Sequence, residues 1–138
     1  MAAPSNALAR LNIVLVVDSD VLVRMAVCEY LRHCGYRVFE AATAEEAITL
    51  LQRTTIPVDV VLTAVDLSGP MNGFGLSQWV RSNRPGTDVR MGGSAERVLN
   101  AAAQLCESGP MLRTPSDTQV VHQRLKKLLA ARARQQKH

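Results

Sequence analysis

Three cysteines, three histidines and one glycine-rich stretch are the residues of this chain most suited by type to chemistry, and their spacing argues against the usual uses. Cys28, Cys34 and Cys106 are odd in number and lack the paired CxxC spacing of a zinc site or redox motif, so unbridged thiols in a reducing compartment are expected. His33, His122 and His138 are scattered among residues that do not ligate metals, which suits surface positions. The stretch GPMNGFG at 69–75 lacks the GK[ST] of a phosphate-cradling loop and reads as a turn. Ser94 has no histidine near it in the pattern, so no nucleophile, base and orienting group emerges. What remains is a set of acids and hydroxyls, Asp18, Ser19, Asp20, Asp66, Ser94 and Thr114, at or just beyond the ends of apolar runs.

Those runs define the elements that must position them. Asn12–Val17 (NIVLVV) is short, β-branched and almost wholly apolar, the mark of a strand buried on both faces and therefore of a parallel sheet. From Asp20 the spacing turns helical, with Val21, Met25, Cys28 and Leu31 at intervals of three and four, and Gly35 closes the helix. A second strand follows at Tyr36–Ala41, then a helix capped by Thr43 with Glu45 and Glu46 in its first turn, ending before Pro57. Val58–Ala64 is a third buried strand. After the loop DLSGPMNG comes a helix capped by Asn72, with Leu76, Trp79 and Val80 on its inward face and Pro85 as its stop. Asp88–Gly93 reads as a weak fourth strand, Ala95–Cys106 as a helix of small residues, Met111–Arg113 as a very short fifth strand and Asp117–Arg132 as a last helix. Strict alternation with short loops predicts an open parallel sheet with helices on both faces. Ligands of such sheets sit at the carboxyl ends of the strands, where Asp18, Ala64, Ser94 and Thr114 fall.

Composition sets further bounds. With 138 residues, 47% of them apolar and 20% charged, the chain suits one globular domain without stabilising cross-links. No apolar run approaches the roughly 18 to 20 residues that span a bilayer, and the N-terminal MAAPSNALAR lacks a secretory apolar core, so a soluble cytoplasmic protein is expected. The net charge of +4 is unevenly placed: residues 1–121 hold ten arginines against all twelve acids, while the last 17 residues carry Arg124, Lys126, Lys127, Arg132, Arg134 and Lys137 with no acid. Such a tail can attract nucleic acid or an acidic partner. The plainer reading is a solvated terminal helix, since no second basic surface or aromatic stacking platform accompanies it.

VVDSD at 16–20 with Arg24, GYRVFEA at 35–41, DVVLTA at 59–64, PMNGFGL at 70–76, Ser94–Ala95 and Pro115 together resemble the response-regulator receiver domain over residues 11–130. Residues 1–10 are then an extension and 131–138 a basic tail. The resemblance implies a flavodoxin-like doubly wound α/β fold, (βα)5, with a five-stranded parallel sheet of order 2-1-3-4-5. It also implies a site in which two adjacent acids and a third-strand aspartate hold magnesium, the aspartate takes a phosphoryl group, and a hydroxyl and a lysine hold the phosphoryl oxygens before a cis proline. A hard cation wants oxygen ligands, and in-line phosphoryl transfer needs its charge neutralised on several sides.

On that pattern Asp18 matches the first acid, Ser94 the hydroxyl, Ala95 the small residue beside it and Pro115 the cis proline after Thr114. Ser19 stands in place of the second acid, Ala64 in place of the phosphoacceptor and Thr114 in place of the lysine. A methyl group cannot attack phosphorus, so phosphorylation at 64 is excluded. Asp66, where the family uses a backbone carbonyl as metal ligand, is two residues on, about 6 to 7 Å along an extended chain, too far to substitute. Weak magnesium binding is expected, through Asp18 and the Asp66 carbonyl with Asp20 peripheral. Ala64 is either native to a degenerate receiver or a replaced aspartate.

The resemblance implies a single-domain signalling component, not an enzyme, that docks to a histidine kinase, a phosphotransfer protein or another regulator. Docking would use the first helix and the loops around the site, or the face of the fourth helix, fifth strand and fifth helix, a face that could also form a homodimer. Met111 stands where the family often has an aromatic switch residue. The alternative is a phosphorylation-independent adaptor or dimerisation module whose tail binds nucleic acid or an acidic partner. An enzyme on the same sheet is disfavoured by the lack of catalytic groups.

Overall fold

The computed structural model describes residues 13–53 and 55–107, with Gln123, Lys127 and Ala130 as isolated further positions. In chain order the elements are β1 (Ile13–Val17), α1 (Val21–His33), β2 (Arg37–Ala41), α2 (Ala44–Leu51), β3 (Val60–Ala64), α3 (Gly73–Asn83), β4 (Asp88–Gly92) and α4 (Ala95–Glu107). The described strands form one parallel sheet of order β2-β1-β3-β4, in agreement with the receiver topology. The expected fifth strand at Met111–Arg113, the last helix, and Thr114–Pro115 with its cis bond lie outside the described residues.

Every residue of β1 is buried, as a central strand covered on both faces requires. Alternation along the strands sorts the core into two layers. Val14, Val16, Val60 and Leu62 pack with α1 and α4, whereas Ile13, Leu15, Val17 and Val61 pack with α2 and α3.

The helix ends follow local chemistry. Asp20 accepts the Leu22 and Val23 amides at 3.1 and 3.2 Å and starts α1. At its other end Gly35 takes a φ of 99°, letting the Tyr36 amide return to the Leu31 carbonyl at 3.1 Å. Thr43 accepts the Glu46 amide at 3.1 Å while Glu46 accepts the Ala42 amide at 2.8 Å, a near relative of the capping box. Asn72 caps α3 through the Gly75 amide at 3.0 Å.

Two expectations need correction and one a qualification. Val21 and Met25 do not face the core: they are 53% and 57% exposed. The buried stripe of α1 is Val23, Ala26, Val27, Tyr30 and Leu31, at the i, i+3, i+4, i+7, i+8 spacing of a helix lying on a sheet. Trp79 does lie on the inward face of its helix, packed against the α2 and α3 layer, but it is only half-buried. The thiols are also not all unbridged. Cys34 and Cys106 form a disulfide with their Cα atoms 5.4 Å apart, and only Cys28 is unbonded. Odd number and lack of a motif could not reveal a pair 72 positions apart, because the packing of α1 against α4 makes the contact.

Candidate functional site

The carboxyl ends of β1, β3 and β4 open on a cleft of about 160 Å³ whose lining includes Asp18, Asp20, Ala64, Asp66, Gly93 and Ser94. Parallel register brings them together: Val17 lies opposite Thr63 and Ala64 opposite Gly92, and the Val65 amide donates to the Gly92 carbonyl at 3.1 Å. The β4 exit can lie so close to α4 only because position 92 is glycine. A Cβ there would sit 2.5 Å from the Val98 amide nitrogen. Gly73 plays the same part at the start of α3, where a Cβ would collide with the Ala64 carbonyl oxygen.

Asp18 is buried, and its Oδ1 accepts the Asp20 amide at 2.9 Å. Its carbonyl accepts Arg24 Nη1 at 2.7 Å, and Arg24 Nε also meets Glu40 at 3.2 Å, so the arginine ties the end of β1 to β2. Arg32 reaches the other Glu40 oxygen at 3.4 Å. Burial first, then the Glu40 carboxylate, pushes the Cys28 thiol up to about 12, which holds it protonated and unreactive.

Ser19 does not line the cleft. Its hydroxyl donates to the Ala42 carbonyl at 2.5 Å and accepts the Ser68 amide at 2.8 Å, beside the isolated bridge between Thr43 and Ser68. Ser94 is exposed, and its Oγ accepts the Arg97 amide at 3.2 Å in the manner of a helix cap. Thr114 lies outside the described residues. Sequence reasoning missed the Ser19 clamp; its one local hint was a hydroxyl where a carboxylate could not donate.

The donor set fits a resident magnesium ion poorly. Asp20 is engaged as a helix cap, Asp66 is exposed, Ala64 brings no oxygen from its side chain, and among the described residues no group of three or more acids, histidines or cysteines is placed to hold a metal. Among the described residues no helix is long and apolar enough to cross a membrane.

Comparison with known proteins agrees with the geometry. The model of the response regulator receiver domain matches residues 14–112. The "Two-component response regulator-like PRR37" of Oryza sativa subsp. indica is 43% identical over 56 residues, a match spanning 41% of this chain and only 8% of the rice protein. The chemotaxis response regulator CheY4 of Vibrio cholerae has a TM-score of 0.55 at 26% identity, over 85% of this chain and 98% of that one. A receiver domain protein of Clostridium thermocellum shares the fold, with a TM-score of 0.55 at 22% identity over 86% and 99% of the two chains. With its sheet order, its strand-end cleft and a family match over most of its length, the chain belongs to the response regulator receiver domain family and is a receiver of two-component signalling.

Proposed function

We propose that this receiver signals by docking to a protein partner and not through a phosphoryl group of its own. The observation that carries the reading is Ala64 at the end of β3, on the wall of the cleft, with no carboxylate in its place. Receiver domains in general are non-enzymatic modules that interact with histidine kinases and phosphotransfer proteins, and one of those, or another regulator, is the partner proposed here. Asp18, Ser19, Ala64, Ser94, Thr114 and Pro115 are the positions that correspond to the family's phosphoryl site, and magnesium binds weakly to Asp18 and the Asp66 carbonyl with Asp20 at the periphery.

The apolar side chains at the start of α1 support docking. Val21, Leu22 and Met25 are about half-exposed or more, as is Phe74 at the start of α3. Large apolar groups in water gain by being covered, and a partner would cover them.

Incubation with acetyl phosphate and magnesium, followed by intact-mass measurement, tests the first half of the reading. The expected result is no added phosphoryl group; a base-labile adduct at Asp66 or Asp18 would overturn it. Saturable binding to the dimerisation domain of a histidine kinase tests the second half, with binding only to DNA, steeply weakened by salt, as the contrary result.

A further inference from the structure

The α1 and α4 layer contains a feature that the receiver function does not use. Cys34 follows the last turn of α1, and Cys106 lies in the last turn of α4; the disulfide between them joins the ends of two helices that are 72 positions apart. One other bond made at the same junction is the Tyr36 hydroxyl donating to the Leu105 carbonyl at 2.6 Å, in the interior. The far end of α4 starts at the cleft, where Ala95 and Val98 belong to the lining. One helix of 13 residues thus spans from the covalent link to the mouth of the site.

We infer that the Cys34–Cys106 pair is a redox-responsive latch that holds the C-terminal half of α4 on α1 when oxidised and releases it when reduced. Three observations carry this. First, the link closes a long loop but sits one residue from the end of the helix, so breaking it frees a helix end and leaves the β1 and β3 core intact. Second, Val98, Leu99 and Ala102 hold the first part of α4 in the layer without the link, so the reduced protein remains folded when the last turn is released. Third, Cys28 is wholly enclosed in the layer, and that burial pushes its thiol up, so it does not compete for the pair.

The chemistry balances with an external dithiol as reductant. One of its thiolates attacks Cys106 Sγ, the protein S–S bond breaks, and Cys34 leaves with the electron pair and takes up a proton. The second thiol of the reductant then attacks the mixed disulfide and releases Cys106 as a thiol. Two electrons pass to the protein, and the dithiol leaves as a disulfide. Both sulfurs are buried, Cys106 at 5% exposure and Cys34 at 1%, so attack requires a local opening of the last turn of α4.

Amide hydrogen exchange on the full chain, equilibrated in glutathione buffers of varied ratio with thiols counted by mass after alkylation, tests the latch. The expected result is conversion between one and three free thiols within the range of glutathione ratios. With it, the peptide covering 95–107 should exchange at least about tenfold faster on reduction while peptides of β1 and β3 do not change. The Cys34→Ser and Cys106→Ser variants should reproduce the reduced pattern, and Cys28→Ser should leave both patterns as they are. Three free thiols in fully oxidised glutathione would overturn the inference. So would a pair that stays oxidised in about a hundredfold excess of reduced glutathione, the behaviour of a permanent staple. Equal exchange of α4 in both states, or acceleration of β1 and β3 together with α4, would also overturn it.

Discussion

Ser19 Oγ accepts the Ser68 amide at 2.8 Å, and this contact joins the loop after β1 to the loop after β3 across 49 positions. The same oxygen carries a hydrogen that it donates to the Ala42 carbonyl, so the residue standing where the family pattern has an acid is a three-way clamp. An aspartate could accept from Ser68 but could not donate to Ala42. Ser19→Asp should therefore cost about 1 to 3 kcal/mol, the price of an unsatisfied carbonyl facing a carboxylate. Urea denaturation measures this; an unchanged midpoint would show that the clamp is dispensable.

Ala64→Asp places a carboxylate at the end of β3, in the cleft with Asp18. It should restore slow uptake of a phosphoryl group from acetyl phosphate and raise the affinity for magnesium above that of the parent chain, which is expected to be weaker than about 1 mM. Uptake stays slow because Ser19 adds no acid. Isothermal titration with magnesium and a time course of intact mass give both numbers, and a variant that takes up nothing would leave the strand-end assignment of position 64 without support.

Neighbouring glycines should respond in opposite ways. Gly92→Ala drives a Cβ to 2.5 Å from the Val98 nitrogen and 2.8 Å from the Arg97 carbonyl carbon, both backbone atoms, whereas a Cβ at Gly93 meets nothing within 4 Å. A loss of about 1 to 3 kcal/mol is expected for Gly92→Ala and a change within about 0.5 kcal/mol for Gly93→Ala. Comparing the two melting curves decides it, since equal losses would mean that the approach of α4 to β4 is not set by this contact.

The Cys28 thiol gives stability a dependence on alkaline pH. In the unfolded chain it ionises near the ordinary value of 9.0, and in the folded protein near 12, so between these the folded state binds more protons. The contribution is full below pH 9 and is lost as pH rises towards 12, with a slope of at most about 1.4 kcal/mol per pH unit. Tyr30 and Tyr36, whose hydroxyls are also pushed up by burial, act in the same direction at higher pH. Cys28→Ala should flatten the fall in the urea midpoint between about pH 8 and pH 10, where the thiol titrates before the tyrosines. An equal slope in both proteins would contradict the assignment.

Met25 is exposed on α1, away from the stripe that packs on the sheet. Met25→Glu should alter stability by no more than about 0.5 kcal/mol. Binding to a histidine kinase dimerisation domain should weaken at least about tenfold, because a charge would be buried against an apolar partner surface. Undiminished affinity would move the docking surface elsewhere.

Much of the fold was legible in the residues alone because strand burial and helix capping are local properties. Ile13–Val17 is a continuous apolar run and Val60–Ala64 one interrupted only by Thr63, and Thr43 and Asn72 cap the helices that follow them in the expected places. Ala64 at a strand end was equally plain. The tertiary structure decided what depends on distant partners: which face of α1 is covered, so that Val23 and Val27 are inside while Val21 and Met25 are not; where the Ser19 hydroxyl goes; and that Cys34 meets Cys106. A periodic pattern shows that a helix has a buried face, but several registers of three and four fit the same run, and only the sheet beneath it selects one. A disulfide or a clamp requires two groups to meet in space, and that distance is set by the packing of whole elements, not by the spacing of residues along the chain.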